Sequence, residues 1–366
     1  MKPPRALAVL VICAAAWLIG WATHRSAPAG FDFIAIYASA RLVATGDPAA
    51  VVDREAIFAV ERATLPERTI FANNANPPAL SLVLAPIGAL PYDVAYVVML
   101  TLSVAALAAA AFLVAPLAAP EQRLRLFPFA LLAPPSTIAL AQGQTTPLML
   151  LVIAASLRAP PWVSGALLGL LALRPQLLPL FAIIALADRQ RRVPFVLVAA
   201  GVGLVSLLMV GPDGLVRYLD LLAPQAAELR PGELGIAALV RRAGIGAFDP
   251  ALASLALSTI AMLVAAMFIL RTRTERRMEA AAPATLLATP HALLHDAILV
   301  YPAIAARAQT TRSTVIWIGT GLIAVLVHEA GIPVAPLWLL ALLLWRPRVA
   351  PPYRGDAPAR TAAHDG

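Results

Sequence analysis

A single cysteine, Cys13, rules out a disulfide within the chain and any cysteine-based metal cluster. Lysine is as scarce: Lys2 is the only one, so arginine carries nearly all the positive charge. Charged residues make up 13% of the 366, about half the ~25% of soluble domains. A water-soluble enzyme is therefore excluded. Neither a G-x-x-x-x-G-K-[ST] phosphate loop nor a G-x-G-x-x-G turn occurs, and no cytoplasmic segment is large enough to bind a nucleotide.

What is present is apolar sequence, 60% of the chain. A bilayer core of about 30 Å takes some 20 residues of helix, and this composition reads as an all-α, polytopic membrane helix bundle. The spans read 6–22, 94–116, 126–141, 145–157, 162–173, 177–187, 193–210, 250–270, 280–290, 297–306, 313–327 and 333–345, about twelve in all. Several are short enough to be half-depth or re-entrant. A basic start and an apolar middle also fit a cleaved signal peptide over Met1–Gly20, but an uncleaved anchor keeps the later spans in phase.

Arginine clusters set the topology. With Lys2/Arg5, Arg123/Arg125, Arg158, Arg189/Arg191/Arg192, Arg271/Arg273/Arg276/Arg277, Arg307/Arg312 and the tail arginines inside, that side holds 18 Lys/Arg against 6 Asp/Glu and the outside 10 against 14. Both termini are then cytoplasmic, as expected of a multi-pass protein of a bacterial plasma membrane. Keeping Asp188–Arg192 inside requires a hairpin over 162–187 with its outer tip at Arg174-Pro175-Gln176. Two external loops are long, 23–93 and 211–249, and the first is expected to carry interfacial helices over 53–64 and 78–90. Residues 1–345 form one transmembrane domain and 346–366 a disordered cytoplasmic tail.

Ionisable and amide groups are costly at membrane depth and are functional hypotheses by default. Here they gather on the external side: Asp32; Gln142 and Gln144 in Gln142-Gly143-Gln144-Thr145-Thr146; Arg174; His291, His295 and Asp296; and His328-Glu329. Each has a plainer reading too. Asp32 suits a helix cap, the glutamines a turn, Arg174 a snorkelling cation, and His328-Glu329 an exposed connection. His291 and His295, four apart, share a face if helical, but no third metal ligand is evident and no metal is expected. As a set they match a transfer reaction whose activated group arrives through the membrane. A carboxylate, Asp32, accepts the acceptor hydroxyl proton. Arg174 with His291 and His295 stabilises a departing phosphate, and Gln142, Gln144 and Asp296 hold sugar hydroxyls.

At these residues the chain resembles glycosyltransferase family 87 of the GT-C membrane glycosyltransferases. The resemblance rests on Phe31-Asp32-Phe33 with Tyr37, Gly46 and Pro48; Pro77-Pro78; Gly143-Gln144 before a Leu-rich span; Gly165 to Arg174-Pro175; and Pro290 through His295-Asp296. It implies a GT-C-like bundle and an inverting transfer of a hexose, mannose foremost, from a polyprenyl-phosphate donor to a lipid or glycan acceptor. Asp32 would be the general base, no cofactor would be used, and nucleic acid is not an expected partner. The chain departs from the family pattern at Ala49-Ala50, where a tyrosine is common, and at Asn76, where an aromatic is usual. A transporter or lipid flippase is the competing class, but no repeated halves are visible and the polar set lies at one surface.

Overall fold

Alternating apolar runs and proline-marked breaks become helices throughout. The computed structural model describes residues 30–67, 69–227, 233–236, 238–239, 250–289, 292–329, 332 and 334–344. Every regular element among them is helical. The expected span 6–22, the tail 346–366, most of 228–249 and His291 lie outside the described residues.

The first external loop contains α1 (Phe33–Ala44), α2 (Arg54–Thr64), α3 (Pro78–Val83) and α4 (Ala85–Gly88). Asp53 caps α2 by accepting from the amides of Glu55 and Ala56 at 2.9 and 3.0 Å. With six and four residues, α3 and α4 are far too short to cross a bilayer, in keeping with the interfacial reading of 78–90. The end of α4 is satisfied from α1: Arg41 Nη1 donates to the carbonyls of Gly88 and Ala89 at 3.2 Å, and the Tyr37 hydroxyl to Leu90 at 2.9 Å. A Cβ at Gly88 would stand 2.4 Å from the Ala40 carbonyl carbon, so glycine lets the two helices touch.

There follow α5 (Tyr92–Val114), α6 (Arg123–Leu132), α7 (Pro134–Gln142), α8 (Thr146–Ser156), α9 (Pro161–Gly169), α10 (Leu178–Ala187) and α11 (Arg189–Ala227). The chain continues through α12 (Pro250–Arg271), α13 (Arg277–Ala288), a 3-10 turn Leu294–Val300, α14 (Tyr301–Arg307), α15 (Thr311–Glu329) and α16 (Ala335–Leu344). Four stretches are long and apolar enough to cross a membrane: Tyr92–Leu117, Pro120–Gln142, Arg189–Leu222 and Leu252–Arg271. The other described spans of the sequence reading correspond to shorter helices and turns, which by themselves do not establish a count of twelve.

The hairpin over 162–187 is visible in the packing. A Cβ at Gly165 would lie 2.3 Å from the Arg191 carbonyl oxygen, and one at Gly169 would lie 2.8 Å from that of Phe195. Helices α9 and α11 therefore run parallel in register, which requires the segment between them to return. That segment breaks at Arg174, which precedes Pro175 and sits between two 3-10 turns at φ −139°, ψ 79°. Helix α11 is interrupted at Gly211 (φ 69°), where the sequence places the end of a span and the start of the second loop. His328 corrects the plainer reading of its segment: it is buried inside the last turn of α15, 1% exposed, and is no exposed connection.

Candidate functional site

Helix α7 ends in glycine-dependent geometry that aims two amides. Gly143 is left-handed (φ 67°, ψ 37°); its amide bonds to Leu140 O at 3.1 Å and that of Gln144 to Ala139 O at 2.9 Å, a Schellman cap. Gln142 is thereby the last residue of the helix and Gln144 the second beyond it, and their side chains take different partners.

The Gln144 side chain reaches Asp32. Its Nε2 donates to Asp32 Oδ2 at 2.6 Å. Asp32 stands at the N-terminus of α1, where the helix dipole favours an anion, yet its carboxylate makes no capping bond. The helix-cap reading of Asp32 is therefore set aside: this half-buried carboxylate faces Gln144. Its position is pinned on both sides. Gly30 (φ 77°) donates to Ala141 O at 2.8 Å, the Tyr92 hydroxyl donates to Gly30 O at 3.2 Å, and the Tyr96 hydroxyl to Ala141 O at 2.8 Å. Phe33 packs among the rings of Tyr37, Tyr92 and Tyr96 at 5.6 to 6.1 Å.

The Gln142 side chain reaches the other half. Its Oε1 lies 3.1 Å from His295 Nδ1, and His295 Nε2 lies 3.3 Å from Arg174 Nη2. A guanidinium only donates, so Arg174 Nη2 meets the Nε2 lone pair in the tautomer whose Nδ1–H donates to Gln142 Oε1; Nε2 also lies 3.5 Å from Asp296 Oδ1. Arg174 Nη2 pairs with Asp296 Oδ1 at 2.7 Å, and Thr146 Oγ1 donates to the same oxygen at 3.0 Å while accepting from Arg174 Nη1. Asp296 Oδ2 accepts from the Leu293 amide at 3.1 Å.

Arg174, His295, Asp296 and Thr146 are 5%, 3%, 1% and 0% exposed, so this is a desolvated charge pair with nearly all its bonds made. One bond is open: Arg174 Nε is buried and has no acceptor among the described residues. An unmet donor of that kind costs about 1–3 kcal/mol, and an anionic oxygen placed there would recover it.

The structure thus brings together Asp32, Gln142, Gln144, Arg174, His295 and Asp296, which the sequence reading singled out across more than 260 positions. His291 lies outside the described residues. Leu293 is extended (φ −101°, ψ 167°) and His295 sits in a 3-10 turn. Thr146 was part of the quoted motif but carried no role; only the fold shows it bridging Arg174 and Asp296. The second long loop also reaches this segment. The Leu234 amide donates to Ala292 O at 2.7 Å, and a Cβ at Gly235 would stand 2.4 Å from Thr289 O.

The sequence profile of glycosyltransferase family 87 matches residues 74–294, more than half of the chain. The chain belongs to glycosyltransferase family 87. Neither a curated protein nor a solved structure matches it. Within this family 87 chain, the matched stretch holds Gln142, Gln144, Thr146 and Arg174. Asp32 and the His295-Asp296 pair lie beyond its ends and are joined to it by the contacts above. The four long apolar helices accord with a membrane glycosyltransferase.

Proposed function

We propose that this glycosyltransferase moves a hexose, mannose in the first instance, from a polyprenyl-phosphate donor to a lipid or glycan hydroxyl at the outer face of a bacterial plasma membrane. The observation that carries the reading is the Gln142-Gly143-Gln144 turn, whose two amides reach one carboxylate directly and one buried cation through His295. Asp32 is the general base. It takes the acceptor hydroxyl proton as that oxygen attacks the anomeric carbon from the face opposite the phosphate, giving inversion. The bond from the anomeric carbon to the phosphate oxygen breaks, and polyprenyl phosphate leaves with its electron pair.

Arg174 supports the phosphate charge that grows in this step. Its open Nε offers a donor fixed in advance by Asp296, Thr146 and His295, which is the arrangement that stabilises developing charge most effectively. Gln142 and Gln144 have amide valence left for sugar hydroxyls. The external orientation follows the arginine distribution, and the choice of mannose follows the family resemblance.

The test is to incubate the purified protein in detergent or nanodiscs with a panel of polyprenyl-phosphate sugars and an extract of membrane lipids. Consumption of one donor with release of polyprenyl phosphate is the expected result. Solute uptake into proteoliposomes without consumption of any donor would replace the reading with transport.

A further inference from the structure

Between α2 and α3, residues 71–75 form no helix, and three asparagines crowd into this short strip: Asn73, Asn74 and Asn76. The strip is tied down from both sides. Glu61 of α2, fully buried, accepts from the Ala72 amide at 3.1 Å. From the part of α11 beyond Gly211, the Tyr218 hydroxyl donates to Ala75 O at 2.9 Å and the Leu221 carbonyl accepts from Asn73 Nδ2. Its two ends are anchored beside the two charged centres. Ala72 belongs to the buried cluster that holds Phe33, the residue after Asp32. Ala79 and Leu80 belong to the cluster that holds Leu173, the residue before Arg174. The asparagines therefore lie on chain that runs from the neighbour of the carboxylate to the neighbour of the guanidinium.

Their contacts fix how each amide is turned. A backbone N–H only donates and a carbonyl only accepts, so the Asn74 atom that meets the Asn76 amide at 3.2 Å is Oδ1, and the Asn73 atom that meets Leu221 O is Nδ2. Asn76 Nδ2 donates to the same Asn74 Oδ1 at 2.9 Å. What remains is a row of unused groups. Asn73 Oδ1 is buried with no donor among the described residues. Asn74 is only 8% exposed, yet its Nδ2 bonds to nothing among the described residues. Asn76 keeps its Oδ1. A turn accounts for the Asn74 oxygen and leaves these three groups unexplained, although buried polar groups ordinarily have partners. Asn73 and Asn76 are separated by at most about 11 Å of chain. Acceptor, donor and acceptor at that spacing suit neighbouring hydroxyls, each of which donates one bond and accepts others.

We propose that Asn73, Asn74 and Asn76 bind the hydroxyls of the sugar being transferred and so select the donor. The inference rests on the donor reading above and adds the residues that read the sugar. In an inverting transfer the anomeric carbon stands between the attacking oxygen, held at Asp32, and the departing phosphate, held at Arg174. The ring then lies against the chain that spans those two centres. Two segments do so: the Gln142–Gln144 turn and the asparagine strip. Selection follows from the unused groups. A sugar with the matching hydroxyls satisfies them, whereas one with a hydroxyl inverted or missing leaves a desolvated amide without its partner.

The experiment measures binding to the full-length protein in nanodiscs of polyprenyl phosphate, bare or carrying mannose, glucose or galactose. Two uncharged variants are compared with the wild type. Asn74→Ser keeps an oxygen for the Asn76 amide and withdraws the Nδ2 donor; Asn76→Leu removes the Oδ1 acceptor at similar volume. The wild type should bind one sugar-bearing lipid about tenfold or more tighter than the bare phosphate. Each variant should lose most of that gain and narrow the differences between sugars to about threefold or less. Affinity for bare polyprenyl phosphate should be unchanged, which also reports correct folding. Retention of the full sugar gain in both variants would overturn the proposal, as would an equal loss for bare and sugar-bearing lipids. Donor preference kept in both variants, with a raised KM for the acceptor in the transfer assay, would give the strip to the acceptor and overturn it too. In either case transfer from a lipid-phosphate sugar leaves the donor reading standing. A wild type that binds bare and sugar-bearing lipids alike and consumes none of them would retire the donor reading and the asparagine strip together.

Discussion

Substituting Gly143 by alanine perturbs the turn that couples the two halves of the site. Two costs add. The left-handed backbone (φ 67°) penalises an L side chain by roughly 1–2 kcal/mol. The new Cβ would also lie 2.6 Å from the Phe33 Cβ. Phe33 is fully buried among three tyrosine rings, so it cannot turn aside cheaply, and it immediately follows Asp32. Relief of the contact must therefore move the proposed base away from Gln144 by several tenths of an ångström or more. A misplacement near 1 Å costs about 100-fold in rate. Gly46→Ala is the control: it has a similar backbone (φ 93°) with nothing within 4 Å of the new Cβ. Both variants should lower the thermal midpoint in detergent. Only Gly143→Ala should lose transfer activity per folded molecule, by about 30- to 100-fold. Equal activity in the two variants, per folded molecule, would refute the coupling of Asp32 to the turn.

Two further outcomes follow from the same contacts. Thr146→Val removes a hydroxyl that serves both Asp296 and Arg174, leaving two buried charges each short of a bond; a loss of about 1.5–3 kcal/mol in stability, read by thermal unfolding, is expected together with weaker donor binding. Glu279, in the first turn of α13, is pushed by burial from an ordinary 4.5 up to about 7, against the pull of Arg307 and Arg276. The folded state then holds a proton that the unfolded state has released, so stability should fall as pH rises from 4.5 to about 7 and level off above, by at most about 1.4 kcal/mol per pH unit. Glu279→Gln should flatten that slope in thermal unfolding at successive pH values; an unchanged slope would assign it to another group.

The sequence carried the helical class, the break at Arg174 and the end of a helix near Gly211, because proline, glycine and arginine act through local sterics and charge. It also singled out residues that the fold brings into contact, Asp32 with Gln144 and Gln142 with His295, Arg174 and Asp296. Buried Asp, Arg and His are so costly in an apolar chain that their presence alone marks them for a shared role. Pairings were not legible. Nothing in residues 142–144 tells which glutamine turns to Asp32 and which to His295, because the Schellman cap that separates them depends on how α7 ends against Gly30 and Phe33. Thr146 was hidden for a similar reason: a threonine at a helix start has a sufficient local explanation. Span counting by hydropathy was limited as well, since shorter helices here pack within the bundle and read as apolar whether or not they cross a membrane.

The division of labour between the carboxylate and the guanidinium is tested most directly by measuring donor binding and donor turnover separately in Asp32→Asn and Arg174→Gln. The account predicts that Asp32→Asn binds a polyprenyl-phosphate sugar as the wild type does and turns over at less than about one hundredth of its rate, the share typical of a general base. Arg174→Gln should lose binding as well as turnover. Wild-type turnover by Asp32→Asn would contradict the account.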